Sequence, residues 1–327
     1  MAIDRDVCVA MRPRRDSRIV ARSLDLEGVV DVAGDGRDDP FGVTPSWGRL
    51  VVGVARALHE RGRRPAGADL VVASTLAIGG GLSSSAAFEV AVALALGAAA
   101  GSPLATDDLA LAAQRGEHVG SGVPCGIQDQ MASVIGGVFL LDCRTLAVEP
   151  LVLPDDLAVV VVDSGVPRTL AGSPWAQRRA ESLAVAATLG LRVLRDASPE
   201  QVADTPRGRH VVSEMQRVWR FADALRSDRT DALGALMLAS HRSSRDDMEC
   251  SIAALDTLVE CLVDAGALGA RLTGGGFGGC CVALVPAAHA DAVARRAADD
   301  YVERTRNTPG AMVVRSAPGA SEIKTAV

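Results

Sequence analysis

Two glycine-rich stretches and a pair of carboxylates are the residues whose types and spacing could do chemistry. The first stretch runs Gly79, Gly80, Gly81, Leu82, Ser83, Ser84, Ser85, Ala86. It follows an apolar segment that reads as a strand and leads into residues 86–100, a run of Ala, Val and Leu with one Glu and high helix propensity. A glycine loop opening onto a helix N-terminus is a ready anion site, because its N–H groups point outward and the helix dipole adds positive charge. The same residues would also serve as a tight turn with Ser83 or Ser84 capping a core helix. Spacing alone leaves both readings open. A Walker A loop is excluded, because GxxxxGK[ST] needs a lysine and the chain's only lysine is Lys324. A phosphate held here would have to meet backbone N–H groups, serine hydroxyls, arginine or a metal ion.

The segment 117–130 is dense in Gly, Pro and polar residues and offers Glu117 at a helix end and Asp129 on a loop. One carboxylate could take a proton from an attacking hydroxyl, and another could complete a Mg²⁺ shell with serine hydroxyls. Taken alone, the plainer reading wins: Asp129 caps the segment after it and Glu117 is solvated. His118 and the other histidines show no metal-ligand spacing, so zinc is not expected.

The second glycine stretch runs Thr273, Gly274, Gly275, Gly276, Phe277, Gly278, Gly279. It formally contains GxGxxG, but a strand follows it where the dinucleotide fingerprint demands a helix. Either a hairpin-like glycine turn or a backbone that approaches a ligand closely remains, and the ligand is favoured because five glycines exceed what a turn needs.

These residues need a scaffold, and 327 residues suffice for two domains with real cores. Hydrophobic content of 48% with 3% aromatics predicts cores of Ala, Val and Leu. A net charge of −6 and short, interrupted arginine clusters argue against nucleic acid. Seven irregularly spaced cysteines without a CxxC form no disulfide framework, and no membrane-length apolar run or signal segment is evident. The chain reads as soluble, reduced and cytoplasmic.

The pattern predicts strands at 7–11, 18–23, 68–77, 137–143, 157–163, 281–286 and 310–316. Helices are predicted at 47–60, 86–100, 106–114 with Thr106 as cap, 175–189, 211–225, 231–241, 252–265 and 287–303. A change of domain fits near 150–165, giving domains of 1–155 and 156–327.

Taken together, these segments resemble the GHMP small-molecule kinases. Gly79-Gly-Gly-Leu-Ser-Ser-Ser-Ala86 is similar to that family's phosphate-binding motif, and Leu272-Thr-Gly-Gly-Gly-Phe-Gly-Gly279 to its C-terminal glycine motif. Val123-Pro-Cys-Gly-Ile-Gln-Asp-Gln130, Leu141-Asp-Cys-Arg144, and Ser240-His-Arg-Ser-Ser-Arg-Asp-Asp247 with Asp256-Thr-Leu-Val-Glu260 resemble its galactokinase branch. The resemblance runs across essentially the whole chain. It implies a two-domain α+β fold with the ATP site between the domains, and a kinase acting on the C1 hydroxyl of a small sugar, with ATP and Mg²⁺ as cofactors.

Position by position, the resemblance implies Asp129 as base, with Gly126 against the sugar. Ser85 and Glu117 match the Mg²⁺ ligands. Gly79–Ser84, with Ala86 behind them, would wrap the ATP phosphates, and Thr273–Gly278 would close over the same site. Trp47 stands where galactokinases place an aromatic near the adenine. Trp175 stands where they have a tyrosine contacting the sugar, and Ala77 where proline is usual. Galactokinases also carry an early sugar-binding signature of roughly the form GRxNLIGEHTDY, which this sequence lacks. A misplaced start or truncation is the leading expectation. A non-catalytic, ATP- or sugar-binding relative and a kinase for another sugar are the alternatives. A monomer is favoured, with neither nucleic acid nor membrane as partner.

Overall fold

The computed structural model describes residues 1–63, 67–76, 81–167 and 174–323. The readings placed on Ala77, Gly79 and Gly80 lie outside these residues. The chain forms two compact units: the described residues of 1–78, 83–150 and 316–327 make the first, and those of 79–82 and 151–315 the second.

The first unit is built on a sheet of β1 (Val7–Arg14), β2 (Arg18–Ser23), β3 (Val29–Ala33) and β4 (Gly67–Ser74), in the order β1-β4-β2-β3. β1 runs three residues beyond the predicted end at 11, and although a short turn joins it to β2, the two do not pair. β4 lies between them, antiparallel to β1 and parallel to β2. The period-2 alternation explains which face is covered. Ile19, Ala21, Val30, Val32, Ala68, Leu70 and Val72 are buried, while Arg12 and Arg14 pair with Asp69 on the other face.

Against the apolar face pack α1 (Gly48–Glu60), α2 (Ser84–Ala99) and α3 (Thr106–Ser121), followed by α4 (Gln128–Ile135). A two-stranded ribbon, β5 (Val138–Leu141) with β6 (Val148–Leu151), follows.

The second unit holds an antiparallel sheet in the order β10-β7-β9-β8. Its strands are β7 (Leu157–Asp163), β8 (Gly269–Leu272), β9 (Cys280–Pro286) and β10 (Gly310–Val314). Its helices are α5 (Trp175–Thr188), α6 (Pro206–Arg226), α7 (Thr230–Asp246), α8 (Ala253–Asp264) and α9 (Ala290–Thr305). The unbroken valine run of β7 reflects burial on both faces. Val160, Val162, Cys281, Ala283 and Val285 join a core with α8 and α9. Leu157 and Leu284 join another with Leu225 and Leu233 of α6 and α7.

Candidate active site

The start of α2 comes first. Gly81 (φ 79°) and Ser83 (φ 59°) are both left-handed, and the Ser83 carbonyl accepts from Ala87 N–H at 3.1 Å. Ser83 therefore occupies the cap position, but its hydroxyl makes no capping hydrogen bond. The side-chain cap foreseen as the plain role of this serine is not what it does. Ser85 lies in the first turn of α2, one turn before Glu89.

Glu89 is the site residue that the sequence did not announce. It is 0% exposed in a helix otherwise filled with Ala, Val and Leu. Its Oε2 accepts from Gln130 Nε2 at 3.4 Å, and Glu117 of α3 lies beside it. Burial, and then Glu117 beside it, push the Glu89 carboxyl well above the usual carboxylate range. That direction is the one expected of two carboxyls brought together away from water.

Glu117 is buried in α3. That helix runs seven residues beyond the predicted end at 114 and is preceded by Ala105 at its cap, not Thr106. Gly116 and Gly120 lower helix propensity locally, but they sit where α1 crosses. A Cβ on Gly53 would come within 2.1 Å of the Gly116 carbonyl oxygen, and one on Gly120 within 2.6 Å of the Arg49 carbonyl oxygen. Helix ends at Gly122, whose left-handed φ of 73° suits glycine.

The residues after α3 are pinned to it. The Cys125 carbonyl accepts from Gln114 Nε2 at 3.2 Å and faces His118 Nε2 at 2.9 Å, so that ring nitrogen carries the proton. His118 is a clamp for the turn that enters α4. Cys125 itself is partly buried, and burial together with Glu117 pushes its thiol up to about 11, which keeps it unreactive.

Gly126 is exposed, with nothing within 4 Å of a Cβ placed there, so protein packing does not require glycine at this position. Asp129 is exposed in the first turn of α4, inside the helix, with Ile127 at the cap. Its carboxylate thus faces solvent near the positive end of a helix dipole. The next residue, Gln130, is 2% exposed and points inward to Glu89.

Trp47 precedes α1 and is half-buried. Its indole N–H donates to the Glu27 carbonyl at 3.2 Å, and its ring meets Phe88 edge-on at 6.2 Å. Trp175 opens α5 in the second unit and is half-buried. Three residues on, Arg178 is held by Glu181 at 2.6 Å and by Glu249 at 3.3 Å. Arg207 and then Arg178 hold the Glu181 carboxyl down at about 2.

Thr273–Gly278 form the connection between β8 and β9, two strands that pair as a hairpin. Gly274, Gly276, Phe277, Gly278 and Gly279 all have positive φ. A Cβ on Gly276 would lie 2.0 Å from the Cys250 carbonyl oxygen, and one on Gly278 2.8 Å from that of Val166. The N–H groups of Thr273, Phe277 and Gly279 donate to the carbonyls of Cys280, Cys250 and Val166. At these positions the close approach that glycine permits is to the protein's own backbone.

The strand entering this turn has its own support. His241 Nδ1 accepts from the Leu272 N–H at 3.3 Å. Its Nε2 lies 3.2 Å from Asp256 Oδ1, close enough for an ion pair but not aligned as a hydrogen bond. Burial pushes His241 down, which matches the neutral ring that an accepting Nδ1 requires.

No cluster of three or more His, Cys, Asp or Glu able to cage a metal occurs among the described residues. Mg²⁺ does not require one. It favours oxygen ligands, commonly one or two protein groups with water and substrate phosphates completing the shell. Ser85 at the start of α2 and Glu117 in α3 each carry an oxygen donor of that kind. They are linked through Glu89, one turn from the first and in contact with the second.

The domain models of the GHMP kinases match in two places: the "GHMP kinases N terminal domain" at residues 49–137 and "GHMP kinases C terminal" at 221–303. A galactokinase of Roseiflexus sp. (strain RS-1) is 39% identical over 343 residues, spanning 99% of this chain and 86% of that protein. One from Haemophilus influenzae (strain PittEE) is 40% identical over 277 residues, spanning 79% and 72%. The crystal structure of Lactococcus lactis galactokinase complexed with galactose superposes with a TM-score of 0.89 at 29% identity, covering 98% of this chain and 88% of that one. A mevalonate kinase at 16% identity and a TM-score of 0.66 shares the fold. With both family domains matched and close to two residues in five identical along nearly its whole length, the chain belongs to the GHMP kinases, within the galactokinase family.

Proposed function

We propose that this protein transfers the γ-phosphoryl group of ATP to the C1 hydroxyl of galactose, giving galactose 1-phosphate and ADP. The observation that carries this reading is the meeting of α2, α3 and α4 around Glu89. These three helices, which bear Ser85, Glu117 and Asp129, pack on one another in a galactokinase-family fold, and that supports the reading. Phosphoryl transfer asks for positioning and charge neutralisation more than covalent help, and a lysine-free site can meet both needs.

Asp129 takes the proton from the C1 hydroxyl as its oxygen attacks phosphorus. Its exposure and its place in the first turn of α4 suit a group that must be both ionised and reachable. Open space over Gly126, three residues before, leaves room for the sugar. The N-terminus of α2, with Gly81–Ser84 leading in, offers uncapped N–H groups to phosphate oxygens. Ser85 and Glu117 would hold Mg²⁺, which supplies countercharge to the phosphates when bound. Trp47 and Trp175 are proposed to border the adenine and the sugar respectively, and Thr273–Gly278 to flank the phosphates.

The test is Mg·ATP-dependent ADP release with galactose, run beside other hexoses and beside Asp129→Asn. Release with galactose that Asp129→Asn abolishes supports the reading. Turnover of a different sugar would move the substrate, and undiminished turnover by Asp129→Asn would remove Asp129 from its role.

A further inference from the structure

We propose that Glu89 is a positioning residue of this site, a buried strut whose carboxyl holds Glu117 of α3 and Gln130 of α4 against the serine-bearing start of α2. This rests on the phosphotransfer reading above. A carboxyl at 0% exposure in an Ala/Val/Leu helix is expensive unless its hydrogen bonds require it, and an apolar side chain would fill the same space without that cost. Both neighbours of Glu89 belong to helices that carry the candidate chemistry. Glu117 is itself one of the proposed Mg²⁺ ligands. Gln130 is the inward-facing neighbour of Asp129, so anchoring its amide at 3.4 Å fixes the rotation of the first turn of α4.

Ser85 stands four residues before Glu89, on the same face of α2 one turn nearer the N-terminus. Glu89 therefore sits where the three elements converge, and its contacts set how far Ser85 and Glu117 stand apart. Gln130 is buried beside it at 2% exposure, so the cluster is polar beyond what simple helix packing needs.

The experiment compares full-length wild type, Glu89→Leu, Glu89→Gln and Gln130→Met by calorimetric binding of ADP across a Mg²⁺ titration, with Tm read on the same samples. Glu89→Leu keeps the volume and removes both contacts. It should weaken Mg²⁺ binding to the ADP complex by about 10- to 100-fold, the usual cost of losing a residue that orients a metal ligand. ADP affinity without metal should stay unchanged. Glu89→Gln, which keeps a polar head group of the same size beside Glu117 and Gln130, should recover most of the loss. Gln130→Met should show a weakening of a few-fold, and it carries the test if Glu89→Leu does not fold.

Wild-type Mg²⁺ affinity in both Glu89→Leu and Gln130→Met would overturn the proposal, as would equal weakening with and without metal. Wild type that binds Mg·ADP yet phosphorylates no sugar would sink the galactose reading while leaving this comparison decisive for Glu89.

Discussion

Asp129 and Glu89 show how differently single residues announce themselves. Asp129 is singled out by the resemblance of its segment to the galactokinase motif, where composition alone favours a cap. Its position inside α4, with Ile127 at the cap, takes away the capping role that competed with catalysis. Asp129→Asn should lower kcat by about 100- to 10,000-fold while leaving Tm and nucleotide affinity near wild type, since the side chain is exposed. Steady-state kinetics with a melting curve on the same preparation checks both halves. Glu89 was not legible. One glutamate in an apolar run has no spacing signal, and only the packed helices show that it faces Glu117 and Gln130.

His241 adds a residue whose chemistry is support. Its Nδ1 must stay unprotonated to accept from Leu272, and burial first, then Arg245 and Arg271, depress it while Asp256 works the other way. A depressed imidazole contributes stability fully above its ordinary value of about 6.5 and loses it as pH falls through the lower folded value. Wild type should therefore lose more stability between pH 6.5 and 5 than His241→Gln does, read as the difference in denaturation midpoints. Parallel pH curves for the two proteins would exclude the effect.

At the scale of elements, periodicity found most helices and strands to within a few residues, and where it failed packing had overruled local preference. The predicted end of α3 at 114 stops short of Gly116 and Gly120, whose helix propensity is low. Inside the fold they are what allows α1 to approach, with Gly53 facing the Gly116 carbonyl. Glu117 and His118 lie between those two glycines, so this helix contact sets the height at which both side chains stand. Gly53→Ala would place a methyl 2.1 Å from that carbonyl oxygen. It should cost about 1–3 kcal/mol by overpacking, and the strain should also reach the site. Denaturation should show a lowered midpoint, and kcat should fall by more than the unfolded fraction explains.

The glycine turn between β8 and β9 teaches the complementary lesson. Its composition suggested a ligand, yet two of its glycines meet carbonyls of Cys250 and Val166. Sequence alone does not tell a backbone that approaches a ligand from one that approaches itself.

At the scale of the whole molecule, nothing in the composition of the last residues indicates which unit they serve. After β10 the chain returns to the first unit. Ile3 bridges Ser316, Gly136 bridges Pro318, and Ala320 N–H donates to the Ser133 carbonyl at 2.8 Å. Gly136 and Gly319 lie so close that a Cβ on the former would fall 2.0 Å from the Gly319 nitrogen. These contacts grip the C-terminal end of α4, the helix whose first turn presents Asp129. A short tail thus closes the unit that carries the proposed base, through pairings distant in sequence that no local pattern encodes. Truncation after Arg315 should leave the core of the second unit, centred on β7 and β9, intact while loosening α4. The amides of Gln128–Ile135 should exchange hydrogen faster, and kcat should drop with little change in the protection of Leu157–Asp163. Unchanged exchange across Gln128–Ile135 would mean that α4 is held by Met131 and Val134 in the core alone, with the tail as a passive cover.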